Sequence, residues 1–185
     1  MIKNAVKHFI LITKHKWLVF KFCCKIGIPF RGLMHDWSKY SPTEFWESAK
    51  YYNGKRSPIS LCKEDKGFSN AWLHHKGRNK HHYEYWVDDN APIETPIIPY
   101  KYVAEMICDK ISAGITYNGK KFTNRTELEF WEIEKTKIRI NKHIEDMLTE
   151  VFEQIADNGI NSTLKRKNIK ALYKKYCEVI DENKI

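Results

Sequence analysis

The chain has 185 residues, a length that suits one domain with a sizeable core. Hydrophobic residues make up 42% of it, a share that excludes an intrinsically disordered chain. The net charge of +9 favours anionic partners, although the basic residues are spread along the chain and a solvated lysine surface explains most of the charge.

The five cysteines argue against a disulfide framework and against a structural zinc finger. Their number is odd, and no two of them are separated by two residues. Cys23 and Cys24 are neighbours, which does not suit disulfide geometry. Reduced thiols in a cytoplasmic protein are therefore the simplest interpretation.

Apolar side chains recur at three- and four-residue steps from about residue 4 to 26 and predict a first helix, which Gly27 and Pro29 end. Lys21 and Lys25 interrupt the apolar stretch 17–30, so no run approaches the roughly 20 residues that a membrane-spanning helix needs. We expect a buried helix and no membrane span. A helix lying on a membrane surface is the alternative.

Two serines mark the next helix starts. Ser41 precedes Pro42 and is followed by Glu44, a capping box that predicts a helix to about Tyr52. Residues 53–67 are predicted to form a loop. Ser69 starts a helix to about residue 86, in which Gly77 is a weak point that divides it into two pieces in the alternative interpretation.

The prolines between residues 88 and 99 predict an extended loop, and a helix follows from about residue 100 to 113. Asn124 to Glu127 form a second capping box, which opens a long predicted helix ending at residues 158–159. A last helix starts at Ser162. Its apolar stripe consists of Ile169, Leu172, Tyr173, Tyr176 and Ile180.

No segment shows a convincing strand pattern, so the sequence predicts an all-α fold. Residues 1–122 contain every candidate for chemistry and form the predicted metal-binding core. Residues 123–185 are predicted to pack on that core or to form a homodimer, within a single domain overall.

The histidines and aspartates of the first region point to a metal centre. His35 and Asp36 are adjacent, and an imidazole beside a carboxylate suits a divalent ion. His15 lies on the preceding helix and Asp109 on a later one, where a buried Asp is expensive unless it is paired or bound to metal. These four residues are the predicted metal ligands.

Two histidine pairs add candidate ligands. His74-His75 and His81-His82 are seven residues apart, which is nearly two helical turns. If the helix is continuous, His74 stacks over His81 and His75 over His82. One of these stacks then faces the metal site, and the other lies behind it or in solvent.

Charged residues near these ligands suggest further roles. Lys39 lies four residues after His35 and is a candidate to neutralise a phosphate. Lys76 and Arg78 are further candidates to bind phosphate. Glu105 lies four residues before Asp109, where it can orient a ligand or act as a general base.

The order of His15, His35-Asp36 and Asp109 on separate helices resembles the HD-domain metal-dependent phosphohydrolases. Residues 35–39 resemble the His-Asp-x-x-Lys segment of that superfamily, in which the lysine lies beside the substrate phosphate. The histidine pairs resemble the extra ligands of its two-metal members. The resemblance implies an HD-like helical bundle, here with an additional C-terminal pair of helices.

Segments 35–42, 51–54 and 71–86 also resemble an uncharacterised family of bacteria and their phages, for which no activity is assigned. This second resemblance therefore supplies no substrate.

Three functions remain open at this point. The first is a phosphohydrolase that acts on a nucleotide or another small phosphoester with one or two divalent ions, among which Mn, Fe, Ni, Co, Zn and Mg are not distinguished. The second is an HD-type di-iron oxygenase, because so many histidines suit iron. The third is a non-enzymatic binding or inhibitor protein, including a nucleic-acid binder, although no nucleic-acid motif supports it.

Overall fold

The computed structural model describes residues 2–178, and this part of the chain is helical with no strand. It confirms the predicted all-α fold. The α-helices are α1 (Ile2–Lys25), α2 (Pro29–Met34), α3 (Pro42–Tyr51), α4 (Pro58–Lys66), α5 (Asn70–Lys76), α6 (Tyr100–Asn118), α7 (Thr126–Glu134), α8 (Lys142–Asn158), α9 (Ile160–Thr163) and α10 (Arg166–Tyr173). Short 3₁₀ helices cover Trp37–Tyr40, Tyr83–Trp86 and Gly119–Lys121, and a π-helix covers Lys174–Glu178.

The first helix is the scaffold for the N-terminal part of the fold. Its buried residues recur with helical spacing, so one face of α1 packs inward against α2, α3 and α6. That face carries Val19 and Phe22 near its C-terminal end, but it also buries His8 and His15. Two polar side chains are thus buried along an otherwise apolar face of the helix.

A single hydrophobic core joins the N-terminal helices to the C-terminal ones. Buried residues of α1 and α6 belong to the same core as buried residues of α7, α8 and α10. Trp131 and Phe152 are completely buried there and meet edge to face, with ring centroids 5.9 Å apart. The C-terminal helices therefore pack on the rest of the chain.

Two predicted elements in the middle of the chain were wrong. Residues 58–66 form α4 rather than a loop, because Pro58 occupies the first helical turn and Gly67, at φ 80°, ends the helix. The continuous helix predicted from Ser69 to about residue 86 ends at Lys76, as the alternative with a division at Gly77 indicated. Gly77 follows it, turns cover the next residues, and only a 3₁₀ helix remains at 83–86.

The long C-terminal helix is also divided. α7 begins at Thr126, without the capping box that Asn124 was predicted to start, and ends at Glu134. A new helix begins after Asn141, whose side chain accepts a hydrogen bond from the backbone of His143. Asn141 also donates a hydrogen bond to the carbonyl of Thr95 at 2.7 Å. The start of α8 is therefore bonded to the proline-rich loop at residues 88–99.

Smaller features follow the sequence more closely. The Ser41 cap of α3 and the Ser69 cap of α5 are both present, while α6 runs past Ala113 to Asn118. Ile180, the last member of the predicted C-terminal stripe, lies outside the described residues. None of the helices in the described part of the chain has the length and hydropathy that crossing a bilayer requires.

Candidate metal centre

Five parts of the chain bring histidines and aspartates together in one place, which we call the cluster. They are α1, the link between α2 and the following 3₁₀ helix, α5, the turns after α5, and α6. The members of the cluster are His15, His35, Asp36, His75, His81, His82 and Asp109.

The first half of the cluster contains the four residues that the sequence predicts as ligands. His15 Nε2 lies 2.9 Å from Asp109 Oδ1. His35 Nε2 lies between the two carboxylates, 3.2 Å from Asp36 Oδ2 and 3.4 Å from Asp109 Oδ1. One nitrogen or oxygen of each residue lies within 4.8 Å of the others, so all four can reach a single ion.

The second half is built around the other oxygen of the same aspartate. Asp36 Oδ1 lies 3.3 Å from His75 Nε2 and 3.4 Å from His81 Nε2. His82 Nε2 lies 2.9 Å from His75 Nε2. Asp36 therefore belongs to two groups of ligand atoms, each compact enough to hold an ion.

Two glutamates bind the opposite nitrogens of these rings. Glu105 Oε1 lies 3.1 Å from His35 Nδ1 and 3.3 Å from His81 Nδ1. Glu44 Oε2 lies 2.7 Å from His75 Nδ1. Carboxylates in this position fix the tautomer and direction of a metal-binding histidine, and here they turn each Nε2 towards the aspartates.

Glu105 is itself held by a cation. Arg31 donates two hydrogen bonds to Glu105 Oε2, at 2.8 Å from Nε and 2.5 Å from the terminal nitrogen. The carboxylate is completely buried, so it has no contact with solvent or with an incoming molecule. Its contacts suit the orientation of histidines and do not suit proton transfer to a substrate.

Several buried polar atoms of the cluster have no hydrogen bond in the described part of the chain. They are His35 Nε2, both carboxylate oxygens of Asp36, and both ring nitrogens of His81. Their neighbours are close, and Asp36 Oδ2 forms an ion pair with Lys39, but the geometry is not that of hydrogen bonds. Buried polar atoms normally find partners, and a set of unsatisfied imidazole nitrogens facing a carboxylate fits a divalent cation. The residues present therefore fit a bound metal.

The charges around the carboxylates favour their ionised form. Burial alone raises the pKa of Asp36, but His35 and Lys39 outweigh that effect and hold its pKa well below the usual range. Burial likewise raises the pKa of Asp109, and the hydrogen bond with His15 together with the nearby imidazole of His35 reverses the shift. Ionised aspartates are the form that binds metal.

Two histidines of the cluster are kept neutral. Burial lowers the pKa of His15, and burial together with the nearby charges of His81 and His75 lowers the pKa of His82. The outer glutamate is ionised, because its hydrogen bond with His35 and the nearby imidazole of His81 overcome its burial and lower the pKa of Glu105 to about 2. In contrast, Asp36 raises the pKa of His35, His75 and His81 against the effect of burial, so a metal ion that binds these rings replaces protons.

The backbone at Asp36 is unusual. Its φ of 51° is the one positive value among the non-glycine residues that the structure describes. Left-handed backbone is uncommon outside glycine, and such strain concentrates at functional sites. The conformation lets the chain leave α2 and present both oxygens of Asp36 to the two halves of the cluster.

Two adjoining cavities open onto the cluster. The larger, of about 540 Å³, is lined by His81, and the smaller, of about 180 Å³, by His15 and His75. Both are lined by His82 and Asp109. A molecule of small-metabolite size can therefore reach the cluster.

Of the remaining predicted site residues, one lies beside the cluster and three do not. Lys39 lines the smaller cavity, with Nζ 2.6 Å from Asp36 Oδ2. His74 turns away from the cluster and contacts the other oxygen of Glu44 at 2.6 Å. Lys76 and Arg78 line neither cavity, so the structure does not bring them to the cluster.

The histidine pairs do not stack as a continuous helix would arrange them. Because α5 ends at Lys76, the turn brings His81 and His82 back beside His75. His75 does contact His82 as the seven-residue spacing indicates, whereas His74 does not contact His81. Three of the four paired histidines thus belong to the cluster.

Sequence reasoning missed two residues that matter here. Glu44 was assigned to a capping box, but its side chain reaches His74 and His75 instead. Arg31 carried no signal, because its partner lies 74 residues away. For Glu44, the capping box with Ser41 already explained the residue, so nothing in the sequence indicated a contact with histidines.

A protein-family model described as a family of unknown function (DUF5662) matches residues 4–158 of the chain, which include every member of the cluster. No curated protein and no solved structure matches the chain.

Proposed function

The chain belongs to the DUF5662 family, whose function is unknown, and we propose that it is a metal-dependent phosphohydrolase that acts on a nucleotide or another small phosphoester. The observation that carries the proposal is the position of Asp36, whose two oxygens face separate groups of imidazole nitrogens without hydrogen-bond geometry. The resemblance to HD-domain phosphohydrolases in the order of the ligands supports it.

The arrangement suits two ions rather than one. His15, His35 and Asp109 form one group with Asp36, and His75, His81 and His82 form the other. A carboxylate shared by both groups can bridge a pair of divalent ions. Such ions, when bound, polarise a phosphoryl oxygen and lower the pKa of a water molecule, which is the chemistry that phosphoester hydrolysis needs.

Lys39 is the candidate to bind the phosphate. Its ammonium lies at the wall of the smaller cavity, and the charge of Asp36 keeps it protonated against the effect of burial by raising its pKa. The cavity has a volume of about 180 Å³, which is sufficient to hold a phosphoryl group. Lys39 then neutralises phosphate charge next to the cluster.

The larger cavity is the candidate site for the organic part of the substrate. Trp72, Tyr117 and Phe130 contribute to its wall, and these rings can stack on a nucleobase. The same cavity is lined by Glu129 and Glu134, whose carboxylates disfavour an anion. We therefore place the phosphate in the smaller cavity and an uncharged or cationic group in the larger one.

Glu105 and Glu44 have a positioning role in this proposal. Each accepts from the nitrogen of a histidine that faces away from the shared aspartate. Their role is to hold the rings in place when charge at the centre changes.

The first experiment is elemental analysis of protein purified without chelator, followed by assays of phosphate release from nucleoside monophosphates and from p-nitrophenyl phosphate. The wild type is compared with His35→Ala/Asp36→Asn, and His143→Gln, on α8 outside the cluster, is the matched control. We expect bound divalent metal and phosphate release in the wild type and the control, and neither in the double variant.

The other outcomes assign the centre differently. Wild-type protein that stays metal-free after addition of manganese and iron contradicts a metal centre altogether. Bound iron with oxygen consumption and no phosphate release favours the di-iron oxygenase, for which five histidines in the cluster are a suitable ligand set. Binding of nucleic acid that weakens steeply with salt, without turnover, favours the non-enzymatic alternative.

A further inference from the structure

The first helix has a second apolar stripe, on the side that faces solvent. Ile2 is 81% exposed, Val6 55%, Phe9 49% and Trp17 57%, and their spacing keeps them on one side of α1. The opposite side is the one that carries His15 into the cluster. The outward stripe therefore has no part in the core or in the metal centre.

The exposed apolar surface continues onto the next elements. Phe30, Leu33 and Met34 of α2 and Trp37 beyond it are all more than two fifths exposed. Between α1 and this segment lies an open groove of about 610 Å³ with an almost entirely apolar lining. We call this surface the N-terminal face, and it includes Phe9, Trp17, Phe20, Phe30, Leu33 and Trp37.

Exposed apolar side chains are concentrated there. The structure describes 17 large hydrophobic residues as exposed, and nine of them lie in residues 2–37. Single exposed apolar residues are ordinary, but a contiguous patch of this kind marks an interaction surface.

The charge of the same segment is wholly positive. Residues 1–35 contain seven basic residues and no acidic one, whereas residues 36–185 contain 25 basic and 23 acidic residues. Most of the net charge of +9 therefore belongs to the N-terminal segment. The ammonium groups lie among the rings, with Lys16 Nζ 5.0 Å from the centre of the Trp37 ring and Lys21 Nζ 5.5 Å from that of Trp17.

We propose that the N-terminal face docks on the surface of an anionic lipid bilayer. A helix with exposed aromatic and aliphatic side chains, lysines beside them and no acidic residue is the arrangement by which proteins lie in the headgroup region. Tryptophan prefers that region, and lysines are attracted to anionic headgroups.

Charge decides against a second copy of the chain as the occupant. A symmetric dimer through this face brings two segments together that each carry seven positive charges and no negative one. An anionic surface attracts these positive charges instead of repelling them. In the docked protein the cluster faces away from the bilayer, because His15 lies on the inward face of the same helix.

The test is flotation of the full chain with vesicles of phosphatidylcholine alone and of phosphatidylcholine and phosphatidylglycerol in equal parts. We expect flotation with the mixed vesicles only, and less of it at high salt. Trp17→Ala/Trp37→Ala is expected to reduce the partition coefficient at least about tenfold. The matched control is Trp46→Ala, since Trp46 is 55% exposed but lies on α3 outside the groove.

A pair of charge variants tests the electrostatic part. Lys14→Glu/Lys21→Glu changes two exposed lysines of α1 and is expected to reduce partitioning at least about tenfold. Lys120→Glu/Lys121→Glu makes the same charge change away from the face and is expected to retain most of the binding. Circular dichroism shows that each variant is folded.

Four results overturn the proposal. They are no flotation with either vesicle, equal flotation with both, equal losses in the variants and their controls, and a dimer in sedimentation experiments that Trp17→Ala/Trp37→Ala abolishes. The last result assigns the face to a second copy of the chain. None of these outcomes depends on the metal centre, because the readout is binding to vesicles.

Discussion

The surroundings of the cluster and the core around α8 bury opposite kinds of residue. Of the 14 polar or charged residues that are buried in the described part of the chain, 12 precede residue 113. α8, in contrast, buries six residues, and all of them are apolar. Burying unpaired polar groups is unfavourable, whereas burying apolar surface stabilises the fold.

This difference separates two tasks within one chain. The core around α8 stabilises the whole molecule, because the same core includes residues of α1 and α6, the helices that carry His15 and Asp109. The cluster contributes ligand atoms at the expense of stability, as its unsatisfied atoms indicate. Changes in the two regions should therefore have different consequences for unfolding and for metal binding.

The largest expected effect on stability comes from the apolar region. Phe152→Ala removes a completely buried ring that packs against Trp131, and we expect the free energy of unfolding to fall by about 3–5 kcal/mol. Urea denaturation measures this, with Phe68→Ala as the control because Phe68 is 51% exposed and should change stability by less than about 0.5 kcal/mol. The folded fraction of Phe152→Ala should keep the metal stoichiometry of the wild type. Loss of metal from folded protein would show that the two regions are not separate in function.

Glu127 is an exception to the comparison, since it is a buried carboxyl of α7. Burial raises its pKa from 4.5 to about 8, with Lys110 opposing the shift and Glu134 adding to it. The folded protein therefore keeps a proton that the unfolded chain loses. Stability is constant below the unfolded pKa and falls as pH rises towards about 8, by up to about 1.4 kcal/mol per pH unit.

Glu127→Gln tests this directly in metal-free protein. The amide does not titrate, so the variant should lose this contribution to the decline and be more stable than the wild type at about pH 8. Urea unfolding of both proteins between about pH 5 and pH 8 measures the difference. Parallel stability curves for the two proteins would mean that the carboxyl is ionised in the fold.

A change behind the cluster should affect metal binding more than folding. Glu105→Gln removes the negative charge that lies beside Nδ1 of His35 and of His81, and we expect the metal affinity to fall by about 10–100-fold. Competition with a chromogenic chelator measures the affinity. Glu64→Gln, at an exposed ion pair with Arg56, should leave it unchanged. An unchanged affinity in Glu105→Gln would remove the positioning role from this carboxylate.

The sequence was sufficient for the fold class and for much of the cluster. The helical period placed His15 on an inward face, and the adjacency of His35 and Asp36 predicted a pair that the structure places in the cluster. Periodicity failed where the backbone left the helix, as at Gly77. His81 reaches the cluster through a turn, so helical spacing assigned it to the wrong partner.

Long-range polar partners are the part that the sequence did not supply. Arg31 and Glu105 are 74 residues apart, and their pairing depends on how α2 packs on α6. A local motif also concealed a distant contact at Glu44, because a capping box and a histidine partner need the same residue type. Local rules predict elements and faces, but they do not determine which faces meet.

The smallest expected effects concern the two serine caps, which show how marginal the short helices near the cluster are. α3 and α5 have 10 and seven residues, lengths at which helices are not stable alone in water. Ser41 Oγ accepts from the backbone of Glu44 at a long 3.4 Å, so Ser41→Ala should lower the free energy of unfolding by only about 0.5 kcal/mol. Ser69 is buried, accepts at 3.0 Å and also donates to Glu47 at 2.6 Å, so Ser69→Ala should lower it by about 2 kcal/mol. Urea denaturation of both variants tests the order. Equal losses would mean that packing against neighbouring helices, rather than capping, holds these elements beneath the cluster.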